Sequence, residues 1–214
     1  YDILRNSTVI HDYGLLVNEK ADFQPQKMVL NHFIGTLCDT LAVVFRNTEY
    51  KIKCDVCEQL VVTEFDERLL SLAIFHLISN ACRFSPGDST ITISLTAGEG
   101  NAFVAVADEG VGIAPQNIRR IFEPFFTDSG AAVGEENIGI GLGLPIVQKI
   151  AELHGGQVLV NSRQNQGTRV GLSIPIIDRP QSKLCLQSDS VRYVFDRFSD
   201  LYILLSGICK IQFY

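Results

Sequence analysis

The spacing of apolar residues divides the chain into alternating helical and strand-like stretches. Residues 1–20 carry Ile3, Leu4, Val9, Ile10 and Leu15 in a helical pattern. Asp22-Phe23-Gln24-Pro25 breaks it, and a second helix is predicted over 25–46, where Val29, Phe33, Leu37, Leu41 and Val44 recur every three or four positions. Alternation over 50–56 and 60–65 predicts a short hairpin turning at Cys57-Glu58-Gln59. Asp66 is the expected N-cap of a helix running to about Phe84. Strands are predicted over 90–97 and 102–107, joined through Gly98-Glu99-Gly100-Asn101. One or two helical turns over 115–121 lead into an aromatic knot, Phe122-Glu123-Pro124-Phe125-Phe126. Residues 127–136 are rich in Gly and Ala and lack an apolar period, which predicts a mobile loop able to act as a lid. A helix then runs from about Leu142 to a C-terminal cap at Gly155-Gly156, followed by strands over 157–162 and 168–177 that turn at Gly167. After Asp178-Arg179-Pro180 the pattern changes, with a strand-like piece at 184–186 and a short helix over 201–208 to which no role is assigned.

Three stretches carry candidate chemistry. The helix after Asp66 is apolar nearly all round, from Leu69 to Ile78, yet His76, Asn80 and Arg83 line up at i, i+4 and i+7. One narrow polar stripe on a buried helix predicts a polar cavity rather than a solvated face. Asp108-Glu109-Gly110-Val111-Gly112-Ile113 puts a carboxylate at a strand end before two glycines. That arrangement suits a flat ligand with a hydrogen-bond donor, and equally an ordinary Asp-Gly turn. Gly139-Ile140-Gly141-Leu142-Gly143-Leu144 runs directly into a helix, as a phosphate-binding turn would, although glycines so spaced also serve close helix packing.

Composition narrows the class. The chain has 214 residues, 46% of them hydrophobic and 20% charged, which fits one globular core with a small appendage. No apolar run approaches the roughly 20 residues that cross a bilayer. A net charge of −6 argues against a nucleic-acid partner. Cys54 and Cys57 have CxxC spacing, but without a second pair the six cysteines read as scattered thiols in a reducing cytoplasm. With Tyr1 first and Met28 the only methionine, a piece of a longer protein is expected.

Taken in order, these motifs resemble the ATP-binding catalytic domain of bacterial sensor histidine kinases, within the superfamily of gyrase-type, chaperone and mismatch-repair ATPases. The resemblance covers about residues 24–177. It rests on Leu77-Ile-Ser-Asn-Ala-Cys-Arg-Phe-Ser-Pro86 (an N box), Asp108-Glu-Gly-Val-Gly112 and Gly139-Ile-Gly-Leu-Gly-Leu144 (two glycine boxes) and Ile121-Phe-Glu-Pro-Phe-Phe126 (a phenylalanine box), with Gly167-Thr168 in the place of a third glycine box. It implies a two-layer α/β sandwich of the Bergerat type: a mixed, mostly antiparallel sheet of about five strands with three helices on one face.

It also implies a site for ATP or ADP with Mg²⁺. Asp108 would take the adenine amine, Gly110 and Gly112 would shape that pocket, and Phe84 would contact the base. Asn80 would hold Mg²⁺, and Arg83 would reach the phosphates. Gly139, Gly141 and Gly143 would let the loop close, Thr168 would support Asp108, and Ile113 and Leu142 would complete the nucleotide-binding set. The reaction implied is transfer of the γ-phosphoryl group to a histidine on a dimerisation hairpin, in a homodimer that then serves a response regulator in the cytoplasm.

This chain departs from the family pattern at two places. His76 stands where a second Asn is common, leaving it as a further metal candidate, and residues 127–136 contain Asp128, Glu135 and Glu136 but no Lys or Arg. The acceptor histidine is expected upstream, because His11 lies too close to the catalytic domain for a helical hairpin; His32 and His154 read as structural. The expected organisation is the end of the hairpin over 1–23, the ATP-binding domain over 24–178 and an extension over 179–214. Two other readings fit the same boxes: a nucleotide-sensing module without turnover, and an ATP-hydrolysing relative with His76 where those enzymes place a general-base Glu.

Overall fold

The computed structural model describes residues 2–128, 139–177, 184–185 and 199–205. Most of the expected lid and parts of both short C-terminal pieces therefore lie outside the described residues. In chain order the elements are α1 (Asp2–Val17), β1 (Gln26–Val29), α2 (Leu30–Val44), β2 (Lys51–Val56), β3 (Val62–Phe65), α3 (Glu67–Phe84), β4 (Thr90–Gly98), β5 (Asn101–Asp108), α4 (Gly143–Leu153), β6 (Val158–Ser162), β7 (Thr168–Pro175), β8 (Leu184–Cys185) and α5 (Asp200–Leu205). Single 3₁₀ turns follow α2 at Phe45–Asn47 and precede the aromatic knot at Arg120–Phe122.

Five strands form the main sheet in the order β2-β4-β5-β7-β6, with β2 parallel to β4 and the other neighbours antiparallel. Alternation along each strand decides its faces. Ile93 sits opposite Val106, Leu95 opposite Val104, and Val104 opposite Leu172, all buried beneath α2, α3 and α4. The intervening positions are more polar, and there Arg169 donates to the Ser94 hydroxyl across 2.8 Å. The expected sandwich is what forms. The β4–β5 connection is the tight hairpin read from Gly98-Glu99-Gly100-Asn101: Glu99 and Gly100 both take positive φ, 52° and 78°, the pattern of a two-residue turn that matches strand twist.

Two expectations are corrected. Residues 50–56 and 60–65 do not pair as a hairpin. β2 joins β4 in the main sheet, whereas β3 pairs antiparallel with β1 in a small second sheet of order β3-β1-β8. The residues between them form no hairpin turn because α2 holds them: Asn31 donates to the carbonyls of Cys57 and Gln59 and accepts the Val61 N–H. Nor does α2 begin at Pro25. Gln26–Val29 is drawn into β1 by pairing with Val62–Phe65, and the helix starts only at Leu30.

α3 is buried along most of its length. Its inner side meets the sheet, while α4 and the short α5 pack on it elsewhere, with Leu201, Leu204 and Leu205 of α5 inside the core. Its start is tied down by Asp66, whose Oδ1 accepts the Leu69 N–H at 3.0 Å and whose Oδ2 accepts the Gln24 N–H at 2.8 Å. The Asp66 N–H donates in turn to Nε2 of His154 at 3.0 Å, while Nδ1–H of His154 lies 2.8 Å from the Ile150 carbonyl. The C-terminus of α4 closes with two further bonds, Gly155 N–H to Glu152 and Gly156 N–H to Ala151, which together make a Schellman motif.

His154 thus works as a neutral imidazole, donating at Nδ1 and accepting at Nε2. Burial holds its pKa below the ordinary value, although the Ile150 carbonyl and the Asp66 charge pull the other way. A depressed histidine pKa contributes stability that is complete above the unfolded value of about 6.5 and is lost as pH falls below it. Replacing His154 with Ala is expected to cost about 1–3 kcal/mol by orphaning the Asp66 N–H. Denaturant unfolding between pH 8 and pH 5 checks this: the difference between wild type and His154→Ala should shrink as the pH falls.

Candidate functional site

One cleft gathers nearly all the residues that the sequence singled out. Its walls include His76, Asn80, Arg83 and Phe84 of α3, Asp108 at the end of β5 with Gly112 and Ile113 beyond it, Gly139 to Leu142 ahead of α4, Gly143 at its start, and Thr168 of β7. Gly110 stays behind the wall. It is buried, and only glycine fits there: a Cβ would collide with the Phe84 carbonyl and come within 2.9 Å of Asp108 Oδ1. This close approach lets the loop after β5 fold against the end of α3, where the Val111 N–H also bonds the Phe84 carbonyl at 3.1 Å.

At one end of the cleft the central group is Asp108. Its Oδ1 accepts two backbone N–H groups, from Gly110 at 2.9 Å and Thr168 at 3.1 Å. Both bonds fall on the same oxygen, which leaves Oδ2 to accept from a ligand. Burial raises the pKa of this carboxyl, and the two backbone bonds act against that rise. Thr168 supports Asp108 through its main chain, while its hydroxyl lies 2.9 Å from Ser162. Ser162 also takes the Ile113 N–H and donates to the Gly167 carbonyl, so it fastens both loops that flank Asp108. No sequence motif marks Ser162. Its role exists only once β6 and β7 pair.

The other end is built on α3 and the start of α4. Gly143, the first residue of α4, faces His76 Nδ1 and the Asn80 amide, which a Cβ at this glycine would meet at 3.4 and 3.7 Å. Leu142 provides no side-chain cap, so among the described residues the first-turn N–H groups of Gly143 and Leu144 remain for an anion, and the helix dipole favours one there. Arg83 lies against Gly139 so closely that any side chain at 139 would displace its guanidinium. His76 is buried, and among the described residues its Nε2 meets no hydrogen-bond partner. Burial first, and then the neighbouring charge of Arg83, lower its pKa to about 4, so it is neutral at physiological pH.

The described residues on either side of 129–138 are held to the fold and to each other. Asn117 donates to Asp128 at 2.7 Å, the Arg120 guanidinium stacks 4.3 Å over the Phe126 ring, and the Phe125 N–H bonds the Gly141 carbonyl. The aromatic knot is therefore bonded directly to the glycine turn ahead of α4. Arg5, Asn6 and Val9 of α1 and Leu204 of α5 also line the cleft, and none of these was evident as a site residue in the sequence.

The donor set suits a hard cation brought in by a ligand. Among the described residues no three His, Cys, Asp or Glu side chains gather as a metal cluster, and Asn80 offers a single amide oxygen. Mg²⁺ typically keeps several waters and shares one or two protein oxygens with phosphates, and Asn80 beside the open α4 terminus fits that pattern. The neutral imidazole of His76 is the poorer partner for this ion.

Comparison with known proteins agrees with this geometry. Residues 65–178 match the family described as histidine kinase-, DNA gyrase B-, and HSP90-like ATPase. The histidine protein kinase DivJ of Caulobacter vibrioides is 36% identical over 115 residues, which is 54% of this chain and 19% of that protein. The sensor-like histidine kinase SenX3 of Mycolicibacterium smegmatis is 40% identical over 117 residues, 55% of this chain and 30% of that protein. The matched part of the chain thus spans under a third of either relative. Among solved structures, full-length ShkA in complex with AMPPNP superposes with a TM-score of 0.70 at 22% identity, over 83% of this chain and 36% of that one. The catalytic domain of histidine kinase ThkA gives 0.60 at 24% identity, over 73% and 97%. With this cleft on this sheet, and the family match spanning α3 to β7, the chain belongs to the histidine kinase-, DNA gyrase B- and HSP90-like ATPases.

Proposed function

We propose that this chain is the catalytic segment of a sensor histidine kinase, which passes the γ-phosphoryl group of ATP to a histidine on a dimerisation hairpin. The observation that carries this reading is the pairing of two ends in one cleft. Asp108 offers an open carboxylate oxygen at one end. At the other, Asn80 and Arg83 stand beside the uncapped start of α4.

In this reading Asp108 Oδ2 accepts a hydrogen bond from the adenine amine, and Phe84 and Ile113 flank the base. Arg83 and the N–H groups of Gly143 and Leu144 face the phosphates. Asn80 would hold Mg²⁺, and the ion would supply charge neutralisation for the transferring group. The acceptor imidazole nitrogen bonds to the γ-phosphorus as the bond to the bridging oxygen breaks and ADP leaves. These residues contribute positioning and electrostatics rather than a covalent intermediate.

The hairpin partner is supported by α1. Ile3, Ile10 and Val17 are 88, 53 and 46% exposed and recur every seven residues, the spacing of a helix seam. In this proposal 1–23 ends the hairpin, 24–178 is the catalytic domain and a response regulator takes the phosphoryl group onward. No helix among the described residues is long and apolar enough to cross a membrane. The supply of ATP sets this segment in the cytoplasm.

Calorimetric titration of the chain tests the site. Asp108→Asn is expected to weaken Mg²⁺-ATP binding by about ten- to a hundredfold, the worth of a hydrogen bond to a charged group. Asn80→Ala is expected to bind ATP equally with Mg²⁺ and with EDTA, whereas wild type prefers Mg²⁺. Unchanged affinity in both variants would refute the residue assignments. For the reaction, the full-length protein incubated with γ-labelled ATP should gain an acid-labile phosphohistidine; steady phosphate release with no labelled protein would point to hydrolysis instead.

A further inference from the structure

The two cysteines with CxxC spacing face different neighbours. β2 pairs in register with β4, which places Ile52, Cys54 and Val56 opposite Ile91, Ile93 and Leu95. Those three β4 side chains are buried beneath the helices, so Cys54 faces the same way, towards α2, which packs on β2. Cys57 lies just past the end of β2, and its thiol donates to the Gln59 carbonyl at 3.5 Å.

Across from Cys54 stands Cys38, on the buried side of α2 with Ile34, Leu37 and Leu41. The two thiols are hydrogen-bonded to each other. Burial first, and then this neighbour, push the Cys38 pKa above the ordinary thiol range, and the residue is only 4% exposed. Cys54 differs in access, because β2 is the outermost strand of the main sheet and Cys54 is exposed on it. An exposed thiol beside a buried one lets an oxidant reach the first sulfur and the second capture the product.

We propose that Cys38 and Cys54 are a peroxide-sensitive thiol pair that closes to a disulfide joining α2 to β2. The Cys54 sulfur attacks hydrogen peroxide: an S–O bond forms as the O–O bond breaks, and water leaves with the thiol proton, giving a sulfenic acid. The Cys38 sulfur then attacks the Cys54 sulfur. The S–S bond forms as the S–O bond breaks, and the hydroxyl leaves with the Cys38 proton as a second water. The pair gives up two electrons, and the peroxide takes them. Neither cysteine lines the cleft, so this inference does not rest on the nucleotide reading.

Peptide mapping of the reduced, folded chain after hydrogen peroxide and thiol blocking tests the pair. Cleavage before Asp55 separates Cys54 from Cys57, so the pairing is read directly. Wild type and Cys57→Ser are expected to yield the Cys38 and Cys54 peptides linked and two hydrogens lighter, and dithiothreitol should release them. Cys54→Ser should lose the link and leave Cys38 unoxidised. Cys38→Ala should stop at the Cys54 sulfenic acid, read as its dimedone adduct. Absence of the linked peptides from wild type overturns the proposal, as does linkage of Cys54 to Cys57, to any other cysteine or to a second chain instead. So does a Cys38–Cys54 link that forms as fast in urea as in the folded chain, since it then owes nothing to the packing of α2 on β2. Wild type and Cys57→Ser decide the matter even where Cys38→Ala, at a buried position, does not fold.

Discussion

The structure depends on one constraint: α3 must be buried on nearly every side and still carry His76, Asn80 and Arg83. A helix so apolar is stable only when other elements cover it, and the sheet, α4 and α5 do so. What remains is one stripe too polar to be packed in apolar surroundings without compensation. The fold resolves this by leaving a cleft along that stripe and opening it to the uncapped end of α4. The same burial sets the chemistry, since it keeps His76 neutral while Arg83 supplies charge beside it.

Two knots of hydrogen bonds hold the cleft walls at a fixed separation, and they use the same device. In each, a buried or half-buried side chain takes backbone N–H groups from an element distant in sequence. Asp66 and His154 join the start of α3 to the end of α4, 88 positions apart. Asp108 joins β5 to β7 through Thr168, 60 positions away. A carboxylate bonded twice on one oxygen is rigid yet has one oxygen left over, which is what recognition of a flat donor-bearing ligand requires. The positions of Gly110 and Ser162 follow from these knots, because each lets a loop approach close enough for the bonds to form.

Legibility in the sequence followed the range of the forces involved. Local signals were enough for the Asp66 cap, the Glu99-Gly100 turn, the Gly155-Gly156 stop and the polar stripe on α3, because each depends on neighbours within a turn or two. The cleft residues named from the four boxes meet in one place, apart from Gly110, which backs the wall. The false hairpin over 50–65 shows the limit. Both segments alternate as strands, but alternation does not name a partner, and Asn31 of α2 holds the intervening residues away from a turn. β1 resembles the first turn of α2 in the sequence for a related reason, since its apolar spacing fits either state until β3 lies beside it.

By itself, then, the sequence determined the order of the elements apart from β1, the apolar face of most of them and the short motifs whose chemistry is carried by adjacent residues. Tertiary structure alone decided that β2 runs parallel to β4, that Ser162 fastens the loops around Asp108, and that Arg5 reaches the cleft. Arg5 stands 75 positions before Asn80, within a helix whose pattern is unremarkable. Nothing in local periodicity can express such a distance. Contacts between distant segments are selected by the shared need to bury apolar faces and satisfy polar groups, and that selection is made only in the folded chain.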